Sequence, residues 1–520
     1  MKRADNHVRT GFGHKRTLRM RRREADALCA HMRQDTRYEQ MAFGLGCHIR
    51  TSQGTVFMMN ELLLPGASDL AHQSAGGVTP TRELLAYLYF RASITRQDIM
   101  EFHSHPGGGV PRFSGIDESH AYRDAKYLTE HLPNPVTLLM VVGNNQFDRY
   151  DALVWDRDQS SFHEVQRIEV LGRPAQIHHV GQGPARNFND SAIYDRQLRI
   201  PGWNQRGLAQ QRIGIVGLGG NGASLFQTLI AIGAAEEGFF VLVDPDELEW
   251  SNLPRIPYAT PEHVGTPKVT LAAQWASHRN PAIPVYPYPC ALNEQAAQDR
   301  LKDATVLFGC VDNDGARMVL NDLAVRSSIP LIDLGCDVLV DEQEVIAGGQ
   351  VRVVLPGENA CLVCCRGYDP AQAAIDLMDE YERVQHAAGG YVRNLAADAT
   401  PSIANLNQLT AQAALSQFLA LVNGQEFGGW DYFHIDQFSL NAITASTSRD
   451  EQCPCCGPAG NLGQGFAHED SSETNATRLA HFPSAADSGN RHQQECEQPE
   501  SIPLSDQRLL EFSPSEQPLV

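Results

Sequence analysis

Residues 212–222 read RIGIVGLGGNG, and residues 238–256 read GFFVLVDPDELEWSNLPRI. An apolar run (Ile213–Val216), a glycine-rich turn, a stretch of helical composition (Ala223–Ile232) and a second apolar run (Gly238–Val243) predict a βαβ unit. Two strands joined through a helix must run parallel, so the fold class is α/β with a Rossmann-like, mostly parallel sheet. Apolar runs at Thr305–Phe308 and Pro330–Leu334 extend it. In the turn, Gly217, Gly219, Gly220 and Gly222 let backbone N–H groups and a helix N-terminus approach a phosphate. Asp244 ends the next strand, about 20 residues on, where an acidic group binds ribose hydroxyls. To this point a dinucleotide fits equally well.

The next cluster is more than a dinucleotide needs. Asn252 and Arg255 share one short segment, Lys268 follows a Gly-Thr-Pro turn, and Asp312 ends a later strand within GCVDND. An arginine and a lysine converging on a nucleotide suit a triphosphate, because they stabilise charge on transferring and leaving phosphates; Asp312 suits Mg²⁺. Two CxxC pairs, Cys361 with Cys364 and Cys453 with Cys456, bracket the end of this region. Four thiolates at that spacing predict a closed tetrahedral zinc site contributing on the order of 10 kcal/mol to folding. Cys365 and Cys455 adjoin the pairs and either can replace a member.

This set resembles the ThiF/MoeB and ubiquitin-activating superfamily over about residues 191–457. The opening signature is matched by Tyr194-Asp195-Arg196-Gln197-Leu198-Arg199, and the nucleotide segment by Asp244, Ser251-Asn252-Leu253 and Arg255. The lysine is Lys268, and the Asp-Asn pair with downstream Arg and Asn is Asp312-Asn313, Arg317 and Asn321. Ile256 stands where the family has Gln. The resemblance implies adenylation of the C-terminal glycine of a ubiquitin-like or sulfur-carrier protein with release of pyrophosphate. It also implies a homodimer in which Arg196 reaches the partner's nucleotide. Conjugating members carry a nucleophilic cysteine in the crossover segment, whereas residues 366–424 hold none. Ser402 in the matching stretch is a conceivable hydroxyl nucleophile, although its place before the helical run Ile403–Leu421 reads more simply as an N-cap. Cys336, the other thiol near the sheet's carboxyl edge, reads by default as core packing.

Upstream, residues 101–117 read EFHSHPGGGVPRFSGID. His103 and His105 alternate on a strand end, so both imidazoles point one way, and Asp117 at the start of the following helix closes a three-ligand set. Three ligands plus water make a catalytic zinc, and a carboxylate outside the metal shell is then needed to move the proton. These residues resemble the JAMM/MPN metalloisopeptidases, whose pattern is an upstream Glu, H-x-H-P, a loop, and S-x-x-D. Here it is matched by Glu39 in YEQMAFGLG, His103, His105, Pro106, Ser114 and Asp117, with the loop one residue longer than the family's. The resemblance implies Glu39 as general base and Ser114 as hydrogen-bond donor to the tetrahedral intermediate.

At 520 residues the chain exceeds what one core usually serves. Composition shifts predict a basic leader (1–26), a JAMM/MPN-like domain (27–171), a linker (172–190), an adenylation domain (191–462) and a disordered tail (463–520). The segment Arg19–Met32 reads as a helix whose arginines form a solvated face. With 42 Lys+Arg against 62 Asp+Glu, the net charge of −20 argues against nucleic acid as a partner. No apolar run is long enough to span a bilayer and no secretory signal precedes the first domain, so a cytoplasmic protein is expected. The reading is a bifunctional enzyme: ATP-dependent adenylation of a ubiquitin-like protein, and zinc-dependent processing or removal of it. It uses ATP, Mg²⁺, one catalytic and one structural zinc, and a conjugating enzyme is a further possible partner. The alternatives are sulfur-carrier activation for biosynthesis, and a binding scaffold with both sites dead.

Overall fold

Strand β1 (Lys15–Arg21) runs straight into helix α1 (Arg22–Met32), and β2 (Met41–Thr51) turns back on β3 (Gly54–Leu63). A small hairpin, β4 (Leu70–Ser74) with β5 (Gly77–Pro80), precedes α2 (Arg82–Thr95). Then follow β6 (Asp98–His105), α3 (Gly115–His131), β7 (Leu138–Asn144), β8 (Tyr150–Asp156), β9 (Ser161–Glu164), β10 (Arg167–Leu171) and β11 (Gln176–His179). All but the hairpin join one sheet in the order β11-β10-β1-β3-β2-β6-β7-β8-β9. The computed structural model describes residues 15–466 except 108–110, 133–135, 145, 181–191, 341–344 and 380–400.

The second half opens with the short helices α4 (Asp195–Leu198) and α5 (Gln205–Ala209). It continues through β12 (Arg212–Val216), α6 (Gly220–Ala231), β13 (Phe239–Val243), α7 (Lys268–Arg279), β14 (Val285–Tyr288), α8 (Gln295–Leu301), β15 (Val306–Gly309) and α9 (Asp314–Arg326). It ends with β16 (Leu331–Val340), β17 (Val345–Val354), α10 (Pro370–Asp376), α11 (Ala404–Asn423), β18 (Tyr432–Asp436) and β19 (Ala442–Ala445). The sheet order is β14-β13-β12-β15-β16-β17-β18-β19, parallel through β16 and antiparallel beyond it. Strands β12 (RIGIV) and β13 (FFVLV) are buried throughout, as expected of parallel strands covered on both faces. This is the α/β, parallel-rich fold expected from residues 212–256. Among the described residues no helix is long and apolar enough to cross a membrane.

Four expectations are corrected. Residues 15–26 are no leader: they form β1, paired to both β3 and β10, and the start of α1. Arg19 therefore lies in a strand, and instead of a solvated helix face it is 1% exposed. Its Nε donates to Glu169 Oε2 at 3.0 Å, and its Nη1 and Nη2 donate to Ser327 O at 2.9 Å and Ala304 O at 3.0 Å. Arg212 takes the other oxygen of Glu169, itself fully buried, so one carboxylate joins both sheets.

The linker expected at 172–190 is likewise fastened where it is described. Residues 176–179 form edge strand β11, Arg173 pairs with Asp431 at 3.0 Å, and Ala175 N donates to Leu421 O at 2.6 Å. The described residues of the two halves thus form one compact unit. Of the tail expected to be disordered from 463, Gly463–Phe466 pack on the chain: Gly463 N and Gly465 N donate to Val325 O and Arg326 O, and Phe466 lies against Ile49, Val56 and Met58. Residues 467–520 lie outside the described ones.

Candidate functional site

Pairing of β2 with β6 sets Met41 opposite His103, so Glu39, two residues ahead of β2, stands beside the histidine end of β6. His103 and His105 alternate on β6 with ring centroids 5.1 Å apart. Asp117 in the first turn of α3 brings Oδ2 to 3.4 Å from His105 Nε2 and Oδ1 to 3.7 Å from His103 Nε2. Ligand atoms of these three residues lie within 4.8 Å of one another. His103 is 4% exposed, yet among the described residues neither ring nitrogen has a hydrogen-bond partner. Leaving such a group unpaired costs about 1–3 kcal/mol, which suits a nitrogen that holds a ligand.

The carboxylate of Asp117 is fixed by the helix start. Ser114 is the N-cap, its Oγ accepting from Asp117 N at 3.2 Å, while Ser114 N donates to Asp117 Oδ2 at 2.6 Å. The Ser114 hydroxyl proton is not used by this cap. Burial opposes ionisation of Asp117, but the facing imidazoles of His103 and His105 outweigh it and hold its carboxyl far below the usual carboxylate range. Burial raises Glu39 against the pull of His105 and His103, and its Oε1 stops 3.9 Å from His105 Nε2.

Sequence reasoning missed the groups that hold Glu39. Its N–H donates to Ser74 O at 2.8 Å and its carbonyl accepts from Gln73 Nε2 at 2.9 Å, both from the β4–β5 hairpin. Both bind the main chain of Glu39 from more than thirty residues away, and nothing in the local sequence signals them.

A second constellation gathers at the carboxyl ends of β12, β13 and β15. The turn after β12 needs glycine at two points. Gly217 has φ +90° and a Cβ there would lie 2.5 Å from Cys310 O, while a Cβ on Gly222 would lie 2.0 Å from Gly217 O. Among the described residues nothing stands within 4 Å of a Cβ placed on Gly219, and Gly220 begins α6, whose first N–H groups have no intrahelical partner. Asp244 accepts from Leu218 N at 2.6 Å and Asp246 N at 2.8 Å, so it fastens the glycine turn to β13. Burial raises its pKa against the pull of Lys268.

Lys268, 9% exposed, reaches Asp246 at 2.7 Å and Asp244 at 4.0 Å. Arg255 is half-buried and donates to Ser251 O at 2.7 Å; Asn252 is buried, its Oδ1 accepting from Glu249 N at 3.1 Å. Asp312 is exposed at the mouth of β15, and Asn313 caps α9 through Ala316 N at 2.8 Å. Arg317 donates to Val311 O at 2.9 Å, bracing the same loop. Arg196 on α4 is exposed, while its neighbours Tyr194 and Gln197 turn inward to Glu236 and to Ile232 O.

Sulfur atoms of Cys361 lie 3.8 Å from Cys364 and 3.7 Å from Cys453, and those of Cys364 and Cys456 are 3.4 Å apart. Tetrahedral Zn–S bonds of about 2.3 Å place sulfurs about 3.8 Å apart, so the four fit such an ion. The choice left open among six thiols falls on these four: they cluster, whereas Cys455 accepts from Asn321 Nδ2 at 3.3 Å and Cys365 turns to Leu362 O. Asn321 also accepts from Leu362 N at 2.9 Å, so its side chain holds both cysteine knuckles instead of facing the nucleotide edge.

Ser402 is not the N-cap. That place falls to Ile403, which makes no side-chain cap, and Ser402 Oγ donates to Asn407 Oδ1 at 3.1 Å. Cys336 is half-buried, its sulfur 3.3 Å from Asn221 Oδ1 and 3.1 Å from Thr410 Oγ1, so it is no simple core residue.

The profile of the ThiF family matches residues 194–455, half of the chain. Over 149 residues the chain is 34% identical to the adenylyltransferase and sulfurtransferase MOCS3 of Danio rerio, covering 28% of this chain and 32% of that protein. It is 33% identical over 142 residues to the sulfur carrier protein adenylyltransferase of Thermus thermophilus, covering 27% and 51%. It is 30% identical over 182 residues to the sulfur carrier protein ThiS adenylyltransferase of Escherichia coli, covering 34% and 68%. The chain thus spans about a third and about half of the length of the first two. The profile begins at residue 194 and leaves the first sheet unaddressed.

Proposed function

The chain belongs to the ThiF family, and from that premise we propose that its second half uses ATP to adenylate the C-terminal carboxylate of a ubiquitin-like or sulfur-carrier protein. A carboxylate oxygen attacks the α-phosphorus and pyrophosphate leaves. The observation that carries this reading is the convergence at one sheet edge of the glycine turn, Asp244, Arg255, Lys268 and Asp312. The α6 N-terminus and the two cations face the phosphates, Asn252 and Ser251 shape the ribose side, and Asp312 with Asn313 would hold a magnesium ion, which would supply positive charge toward the pyrophosphate. The exposed Arg196 supports a homodimer in which it reaches the other copy's nucleotide. The printed names of the three relatives, each an adenylyltransferase and two of them of sulfur carriers, favour a sulfur-carrier substrate over a conjugated modifier.

The first half, in this proposal, is a metallopeptidase of the JAMM/MPN kind acting on the same C-terminal tail. The orphaned ring nitrogens of His103, with His105 and Asp117 beside them, support a bound zinc. Zinc at such a site supplies a water acidified to a pKa of about 7. Glu39 takes a proton from the attacking water and returns it to the leaving amine, and the Ser114 hydroxyl donates to the oxyanion. The intact donor set argues against a dead scaffold.

ATP–pyrophosphate exchange tests the activation half. Exchange is expected only with a carrier protein ending in a free glycine, and Asp312→Ala should reduce it at least about 100-fold. Undiminished exchange in that variant removes Asp312 from the reaction.

A further inference from the structure

A directed chain of hydrogen bonds runs from the crossover segment into the glycine turn. Ser402 Oγ donates to Asn407 Oδ1 at 3.1 Å, and Asn407 Nδ2 donates to Asn221 Oδ1 at 3.1 Å. From the other side Cys336 Sγ donates to the same Asn221 oxygen at 3.3 Å, with its sulfur also 3.1 Å from Thr410 Oγ1. The packing is built around this chain. A Cβ on Gly220 would meet Asn407 Oδ1 at 2.4 Å, and one on Gly349 would meet Thr410 Oγ1 at 1.9 Å. Asn407 and Thr410 are 5% and 0% exposed.

An amide has one acceptor end and one donor end. With its oxygen held inward by two donors, Asn221 turns its Nδ2 the other way, and among the described residues that nitrogen has no hydrogen-bond partner. Asn221 is the second residue of α6, inside the turn that the proposed reading gives to the triphosphate.

We infer that Asn221 is a phosphate-contacting residue oriented by Asn407 and Cys336, and that Cys336 and Ser402 are positioning groups of this loop and not acyl acceptors. The inference rests on the nucleotide reading of the glycine turn. Burial raises the Cys336 thiol above its ordinary pKa, which keeps it a donor and a poor nucleophile.

The probes are ATP and adenosine, each titrated calorimetrically against the full chain without any carrier. Failure of the native chain to bind ATP overturns the nucleotide reading itself. Given native binding, Asn221→Leu should weaken ATP about tenfold or more, by loss of a hydrogen bond to a charged group, while adenosine binds as before. Cys336→Ala should weaken ATP by a smaller factor, and Cys336→Ser, whose hydroxyl still donates, should bind ATP more tightly than Cys336→Ala. Equal loss of ATP and adenosine, or ATP affinity unchanged in Asn221→Leu at an unchanged melting temperature, overturns the inference. So does a thiol-labile adduct on Cys336 after incubation with ATP and the E. coli sulfur carrier ThiS.

Discussion

The Glu39 carboxylate lies 3.9 Å from His105 Nε2 and outside the group of atoms that cluster as metal ligands. In the proposed metallopeptidase a proton carrier in that place would not hold the metal. Glu39→Gln is therefore expected to keep a full complement of zinc while hydrolysis of a tail-extended ubiquitin-like protein falls about 10²- to 10⁴-fold. Metal analysis and cleavage measured on one sample check this, and loss of zinc would make Glu39 a ligand. The two His and Asp117 were legible because a strand's two-residue period and a helix N-cap fix where three side chains point. Gln73 was not, because its contact with Glu39 is made by the peptide carbonyl, which every residue carries alike.

Elements were read well where hydrophobic period is strong and poorly where polar groups are buried. The helix expected from Ile403 begins at Ala404, with Ser402 turned to Asn407, because a partner on its own helix outcompeted the cap. Segment Arg19–Met32 contains no breaker, yet its first three residues are strand, since β1 gains pairing from both β3 and β10. The tie between β2 and β6 adds a titratable contact. His48 Nδ1 meets Asp98 Oδ2 at 2.6 Å, and this hydrogen bond raises the imidazole pKa above its ordinary value of 6.5. A raised folded pKa stabilises fully below the unfolded value and is lost as pH climbs through the folded one. The melting temperature of the native chain should thus exceed that of His48→Gln most near pH 6 and converge with it above neutrality. The imidazole is 46% exposed, so the gap is small, and a gap that widens with pH would contradict the pairing.

At the scale of the molecule, two sheets are fused through one buried carboxylate. Glu169 is held by Arg19 from its own half and Arg212 from the other, and Thr51 and Ser52 add hydrogen bonds to Asp303 across the same boundary. Arg19→Met leaves three backbone carbonyls and part of that carboxylate unpaired, and removal of one partner of a buried ion pair costs about 3–5 kcal/mol. Urea unfolding should show that loss with both halves still melting in one transition; a loss under about 1 kcal/mol would mean the cluster does not hold the halves together. The sequence by itself determined the α/β class, the glycine turn, the His-His-Asp set and the two CxxC pairs, because each depends on spacing along one or two elements, while which four of the six neighbouring thiols cluster was decided by the fold. Only the tertiary structure decided that Arg19 and Arg21 are buried, that residues 176–179 of the expected linker form a strand, and that Cys336 and, through Asn407, Ser402 converge on Asn221. Most of those outcomes depend on groups more than 100 positions apart, such as Asn221 and Asn407, which are 186 apart and whose meeting is set by strand order and helix packing and leaves no local pattern to read.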